Sequence, residues 1–377
     1  MVRIAVNTRL LVPDKMDGIG RFTYETLKII CEKNPNIEFT FIFDRDTPTS
    51  LKFPRNVNFK KLSPPARHPI LWIWWFEFSL KNYLNKNKFD LFLSPEGWVP
   101  PKLNCPSLAV IHDLNFVHSP ENIILSHRLY LKHFFPKFAK RASRIATVSE
   151  YSKNDIATTY GINAEEIDVL YNGANNVFKP VGIAEQENVK KKYSQGQDYF
   201  IFIGTIHPRK NLEHLFLAFE QYKSTGHKTK LLIAGNKKWW PEKLENIYKN
   251  LTFKDDILFV GRQSDENLSL LLSGAIALTY LPYFEGFGIP ILEAFHSETA
   301  VITSNVTSMP EVAGNAALLI DPKDVNAIAK AMQEISENKT LRETLIEKGK
   351  LQSSKFSWSK SAELLYRSIQ KTLKVGT

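Results

Sequence analysis

Two glutamates eight positions apart, Glu285 and Glu293, bracket the run Gly286-Phe287-Gly288-Ile289-Pro290. Carboxylates accept hydrogen bonds and suit the hydroxyls of a ribose or another polyol. Gly286 and Gly288 clear the backbone for a ligand, and Pro290 suits the start of a helix. A loop separates the two acids, so they cannot stack on one helix face. The spacing places Glu285 on the loop and Glu293 in the first helical turn. Upstream, Gly204-Thr205-Ile206-His207-Pro208-Arg209-Lys210-Asn211 sets two cations beside the start of an amphipathic run, Leu212 to Tyr222. Adjacent cations there run against the helix dipole. An anion between them would relieve the conflict, and a phosphate would also satisfy free N–H groups. Nearer the start, Gly18-Ile19-Gly20 precedes a helical run, but Thr23 stands where a dinucleotide fingerprint needs a third glycine. His112-Asp113 follows an apolar run, where a histidine can exchange a proton. A structural His–Asp pair reads equally well there. No G-x-S-x-G elbow exists to build a hydrolase triad.

These residues all follow short apolar runs. Val2 to Val6, Phe39 to Phe43, Leu91 to Leu93, Ser107 to Ile111 and Ile145 to Val148 read as strands in the first half. Tyr199 to Ile203, Lys230 to Ala234, Ile257 to Val260, Ile276 to Leu281 and Ala300 to Thr303 do so in the second. Near-continuous apolar strands suit parallel sheets covered on both faces. Arg21 to Lys33 and His127 to Arg141 carry helical spacing between them. The alternation predicts an α/β chain with two doubly wound sheets, whose ligands bind at the carboxyl ends of strands. The polar stretch Lys179 to Asp198 reads as the boundary, giving domains over 1–179 and 180–357. Residues 358–377 form an orphan helix with no following strand.

The chain has 377 residues, enough for two domains, with 43% hydrophobic and 23% charged content. Cys31 and Cys105 make no disulfide framework and no CxxC pair. The opening MVRIAVNTRL is too polar for a signal peptide, and no run approaches the ~18 apolar residues of a membrane span. A cytoplasmic protein is expected. The lysines are dispersed and no helix-turn-helix, zinc or RNP pattern occurs, so nucleic acid is not an expected partner.

The Glu285-x7-Glu293 run with its internal Gly-Phe-Gly-Ile-Pro resembles the signature of retaining GT-B glycosyltransferases of family GT4. Gly18-Ile19-Gly20, His112-Asp113, Val148-Ser149-Glu150, Pro208-Arg209-Lys210-Asn211, Gly235, Gly261 and Ser308-Met309-Pro310-Glu311 extend the resemblance over the chain. Residues 304–322 and Phe356-Ser357-Trp358 are similar to bacterial mannosyltransferases of polysaccharide, lipopolysaccharide and O-antigen assembly. The resemblance implies two Rossmann-like domains facing a cleft: an acceptor domain (1–179) and a donor domain (180–357). The helix 358–377 would pack back toward the first. It implies that Arg209 and Lys210 bind the donor diphosphate, that Gly18 and Gly20 close on it, and that Gly204 borders it. Glu293 would hold the ribose and Gly261 would approach the base. Glu285, with Gly286, Phe287, Gly288 and Ile289, would hold the transferred sugar, with His112 near its reacting face. Many relatives carry Arg after the strand glycine; Thr205 stands here, which puts the cationic role on Arg209 and Lys210.

The implied reaction moves a hexose, mannose favoured, from a nucleoside-diphosphate sugar such as GDP-mannose to a hydroxyl of a glycan or polyprenyl-diphosphate-linked acceptor. With two cations for the leaving group and no DxD-type cluster after a strand, neither a metal nor another cofactor is expected. A UDP-sugar donor of glucose or GlcNAc type, or a sugar-nucleotide epimerase, is the alternative. Arg67 to Lys88 crowds five Trp and Phe residues among cations. It reads first as a core helix with a basic rim, and second as a peripheral contact with an anionic membrane. Residues 1–179 hold 24 Lys and Arg against 17 Asp and Glu, and the remainder 25 against 22. The positive excess therefore sits mainly in the first half, which favours an anionic acceptor at the inner face of the membrane.

Overall fold

The computed structural model describes residues 1–12, 16–48, 50–66, 68–122, 125–237 and 239–375. The chain divides into two units, residues 1–172 with 357–377, and residues 173–356.

In the first unit, seven strands form one parallel sheet. They are β1 (Val2–Asn7), β2 (Ile37–Phe43), β3 (Val57–Lys61), β4 (Leu91–Ser94), β5 (Ser107–Val110), β6 (Arg144–Thr147) and β7 (Ile167–Val169), in the order β3-β2-β1-β4-β5-β6-β7. Their apolar side chains are almost wholly buried at the centre, from Ile4 to Val6 and from Leu91 to Leu93. The order reverses between β1 and β4, which pair in register with Ile4 opposite Leu91. Such a reversal opens a crevice at the carboxyl ends of the strands.

The second unit repeats the plan with six parallel strands. These are β8 (Tyr199–Ile203), β9 (Lys230–Ala234), β10 (Ile257–Gly261), β11 (Ala277–Tyr280), β12 (Ala300–Ser304) and β13 (Leu318–Ile320), in the order β10-β9-β8-β11-β12-β13. The reversal lies between β8 and β11. Close approach of the turns after β8 and β9 requires glycine: a Cβ on Gly235 would lie 1.9 Å from the Gly204 carbonyl oxygen.

The polar stretch from Lys179 to Asp198, read as the boundary, contains the helix Ile183–Ser194. Glu185 caps it by accepting from the Gly182 N–H at 3.1 Å, and Gln195 ends it in a left-handed conformation. The chain enters the second unit earlier, at Gly173. The Lys179 N–H donates to Ser269 Oγ (3.2 Å) and the Asn175 amide to Asp265 (3.3 Å). Arg67, at the head of the aromatic segment, and Gly376 and Thr377 lie outside the described residues. Among the described residues no helix is long and apolar enough to cross a membrane.

The last helix, Trp358–Val375, belongs to the first unit. It buries Trp358, Ala362, Leu365 and Ile369 at helical spacing, and the Trp358 ring meets Phe22 edge-on at 6.5 Å. One carboxylate fastens it. Asp168 on β7 accepts from Arg144 Nε (2.5 Å), Ser368 Oγ (2.7 Å) and Lys371 Nζ (2.8 Å). Burial alone would raise the Asp168 carboxyl, but the bonds from Arg144, Lys371 and Ser368 outweigh it and hold it at about 2. A carboxylate depressed on folding stabilises above its unfolded value, near 4, and loses that contribution as the pH falls toward 2. Asp168→Asn is therefore expected to cost about 2 kcal/mol at neutral pH and to flatten the loss of stability between pH ~4 and ~2. Urea unfolding across that range measures both; an unchanged acid limb would refute the assignment.

Candidate functional site

The turns after β8 and β11, on either side of the reversal in the second sheet, carry the predicted cations and acid. After β8 the chain makes one 3₁₀ turn, Pro208–Lys210, and Asn211 then caps the helix Leu212–Ser224. Arg209 and Lys210 thus lie just before the helix cap, beside the start of the helix, as their spacing predicts. Asn211 adopts a left-handed conformation, with φ at 60°. Its side-chain amide donates to the Leu281 carbonyl (3.1 Å) and the Pro322 carbonyl (2.6 Å). The Tyr283 N–H donates to the Arg209 carbonyl at 2.8 Å, and the Tyr283 hydroxyl reaches Glu213 (2.9 Å) and His214 (2.6 Å). The β8 turn is thereby tied to the β11 turn by main chain and side chain.

Within this frame the Glu285 carboxylate accepts from both Arg209 and Lys210, and from the Tyr280 hydroxyl at 3.1 Å. Arg209 also donates to the Phe284 carbonyl at 3.2 Å, and Lys210 to Tyr280. The Glu285 side chain is 16% exposed and Lys210 9%. Burial would raise the Glu285 carboxyl, but Arg209 and Lys210 override it and hold the group at about 2. Burial pushes the Tyr280 phenol well above its ordinary value, with the Glu285 charge acting in the same direction. The anion expected between the two cations is thus present in the chain itself.

The rest of the run is held from below. Ser308 Oγ donates toward the Glu285 (2.8 Å) and Phe287 (3.3 Å) carbonyls. Gly288 has φ at 100°, a conformation that favours glycine, and a Cβ there would lie 2.7 Å from Met309 Cε and displace it. The helix begins at Ile289, which places Glu293 in the second turn rather than the first. Glu293 is 6% exposed, buried among Ile291, Leu292, Ala294 and Phe295, and near enough to act on Tyr280. Gly204 directly follows β8, beside Lys210, while Gly261 ends β10, where a Cβ would meet nothing within 4 Å.

In the first unit, Asp17 caps the helix Gly18–Lys33 by accepting from the Gly20 N–H at 2.9 Å. Gly18 faces open space, whereas a Cβ on Gly20 would press on the Leu10 carbonyl at 2.9 Å. His112, after β5, sets Nε2 3.0 Å from the Pro95 carbonyl, with Phe22 edge-on at 5.1 Å. A carbonyl only accepts, so Nε2 carries the proton and Nδ1 is the acceptor. Burial lowers the imidazole pKa, outweighing the Pro95 bond and the Asp113 charge, so the ring is neutral at pH 7. Asp113 instead accepts from the Asn115 N–H at 3.0 Å.

Sequence reasoning did not single out a second charged cluster at the β1–β4 reversal. Glu96 accepts from Arg9 Nε (3.1 Å) and NH2 (2.5 Å) and from the Asn7 amide (2.5 Å). The pair is 13% and 5% exposed. Its signal was positional: Arg9 and Glu96 each stand two residues past strands that proved to be neighbours. Among the described residues no group of three His, Cys, Asp or Glu could hold a metal.

Residues 184–352 match the family described as glycosyl transferases group 1, and residues 16–176 match glycosyltransferase family 4. The chain is 30% identical over 293 residues to O-antigen chain mannosyltransferase B of Escherichia coli, spanning 77% of this chain and 74% of the relative. It is 28% identical to the O-antigen chain mannosyltransferase RfbU of Salmonella typhimurium, over 71% of each. The fold is that of Anabaena HepE, crystallised with UDP and glucose, at a TM-score of 0.76 and 14% identity over 98% of this chain and 100% of that one.

Removing the Glu285 charge takes from the buried Lys210 and from Arg209 the carboxylate on which both converge. Glu285→Gln is expected to cost about 3 kcal/mol at neutral pH. The depressed carboxyl stabilises above its unfolded value, near 4.5, so in the unchanged protein this contribution fades as pH falls from there toward 2. Denaturant titrations of both proteins at neutral and acid pH check this. The difference should shrink in acid; a constant difference would contradict the clamp.

Proposed function

The chain belongs to the group 1 glycosyltransferases, and on that premise we propose that it moves a hexose, mannose in preference, from a nucleoside-diphosphate sugar to a glycan hydroxyl in cell-surface polysaccharide assembly, with retention at the anomeric carbon. The observation that carries the reading is the convergence of Arg209 and Lys210 on one carboxylate at the reversal of the second sheet. This is where a doubly wound sheet receives a ligand. The mannose preference rests on the two O-antigen relatives.

As the bond from sugar to phosphate breaks, charge builds on the leaving diphosphate. Arg209 and Lys210, fixed in advance and shielded from water, stabilise that charge without reorganising. They would share their donors between Glu285 and the phosphates. Glu285 is ionised at neutral pH but engaged by two cations and Tyr280, which makes it a poor nucleophile toward the anomeric carbon. Same-face attack is therefore favoured over a double displacement, with the leaving phosphate taking the acceptor proton. Glu293 is assigned to the ribose, Gly261 to the side of the base, and Gly286 to Ile289 to the sugar. His112 Nδ1 is assigned to a hydroxyl as acceptor. The acceptor is proposed to be a glycan on a polyprenyl diphosphate, met at the cytoplasmic side of the membrane.

A UDP-sugar donor is the second reading, favoured by the shared fold with HepE. Thermal shift over a panel of nucleotide sugars separates the two, since a bound donor raises Tm by mass action. GDP-mannose is expected to give the largest shift; a larger one with UDP-glucose would reassign the donor.

Lys210→Ala is expected to reduce turnover ~100-fold or more, as for other losses of a transition-state charge partner. Near-normal turnover in a folded variant would remove Lys210 from this role. Because the cations of the chain itself serve the leaving group, activity is expected to survive a chelator; a strict metal requirement would overturn that.

A further inference from the structure

The first unit presents a face of exposed aromatic and aliphatic side chains on segments rich in lysine and arginine. The helix Pro69–Trp74, a π-helical turn Trp75–Leu80 and the helix Lys81–Asn87 run on without a break. One side buries Trp72, Trp75, Phe76 and Leu80 in the core. The other leaves Ile70, Leu71, Trp74 and Phe78 exposed by 68%, 40%, 53% and 49%. Trp74 and Phe78 lie ring against ring at 4.8 Å in a pair open to solvent. The helix Leu125–Arg141 is a neighbour, for Tyr130 meets the Trp72 ring at 4.9 Å. It exposes Leu125 by 65% and Leu129 by 59%. Scattered single apolar residues on a surface are ordinary, but six on two adjoining helices, two of them large aromatics, are not.

Charge decides what covers them. Residues 68–88 contain three lysines and one acid, Glu77; residues 125–141 contain five Lys or Arg and no acid. Burial raises the Glu77 carboxyl, while Arg141 and Lys81 act on it in the opposite sense, so the one acid is already faced by cations. A second copy docking through the same patch would set like charges against each other. Exposed aromatic and leucine side chains on segments rich in Lys and Arg fit the boundary between lipid headgroups and acyl chains, where the cations meet phosphates and the rings enter the apolar edge.

We infer that this two-helix face docks the protein onto anionic lipid, with Trp74 and Phe78 as the inserted anchors and the cations around Leu129 as the headgroup contacts. The full chain is tested by cosedimentation with vesicles of phosphatidylcholine alone or mixed with phosphatidylglycerol, at low and high salt. No donor or acceptor is present, so this binding stands or falls apart from the transfer reaction. Mixed vesicles are expected to bind at least tenfold better than neutral ones, with the gain lost at high salt. The pair Trp74→Ser, Phe78→Ser and the pair Arg128→Glu, Lys132→Glu should each lose about tenfold or more. Both are surface changes, and circular dichroism verifies that the fold is kept. No binding to mixed vesicles, or undiminished binding by both variants, would overturn the inference. So would self-association without vesicles that the Trp74→Ser, Phe78→Ser pair abolishes, since it would assign the face to a second copy.

Discussion

Lys210 and Arg209 are consecutive in the chain and converge on one carboxylate in a place largely closed to water. Two cations at such separations repel by several kcal/mol at the effective dielectric of a protein, and each pays to leave water. Glu285 offsets both costs at once. Its own burial cost is offset in turn by the same two cations and by Tyr280, which is why it takes up a proton only near pH 2. Removing any one member weakens the compensation of the others, so the cluster behaves as a unit. That interdependence makes it a fixed electrostatic device rather than a pair of mobile surface charges.

The backbone around the cluster serves to hold it. Asn211 accepts a left-handed conformation and spends its amide on the carbonyls of Leu281 and Pro322. Tyr283 closes the gap between the two turns through its N–H and its hydroxyl. Gly288 allows the chain to pass over Met309, and Gly235 allows the turn after β9 to touch the turn after β8. Asn211, Tyr283 and Gly288 follow β8 and β11, the strands on either side of the reversal of strand order, where diverging connections leave room for a ligand. The first unit places a buried Arg9–Glu96 pair at its own reversal, with the Pro95 carbonyl beside it fixing the His112 tautomer. The same architecture thus locates charge at corresponding points of both sheets.

The central strands were legible because burial on both faces leaves continuous apolar runs, and all ten expected strands are present. The three that were missed, β3, β7 and β13, lie at sheet edges. Their side chains are partly exposed, as in Val57–Lys61, where only Val57 is buried, so no run forms. The helix Ile183–Ser194 was hidden by its composition, since only Val189 and Ser194 are buried and the rest reads as a polar linker. At the site, residue types and spacing brought forward Arg209, Lys210, Glu285 and Glu293, but not who pairs with whom. The compensating anion for two adjacent cations was sought in a ligand, while the chain supplied it from 75 residues away through Glu285. Glu293 fell just beyond the first turn of its helix because Ile289, one residue before Pro290, starts it. Arg9 and Glu96 carried no local signal at all, because only the adjacency of β1 and β4 brings them together.

If Arg209 and Lys210 hold the donor diphosphate, as proposed, Lys210 must help to distinguish a diphosphate from a monophosphate. Equilibrium titration of GDP and GMP into the unchanged protein and Lys210→Met measures this directly. The diphosphate should bind the unchanged protein more tightly than the monophosphate, and most of that advantage should vanish in the variant while GMP binding stays nearly constant. An advantage for GDP that persists undiminished in Lys210→Met, or an equal loss for both nucleotides, would contradict the placement of the donor diphosphate at Arg209 and Lys210.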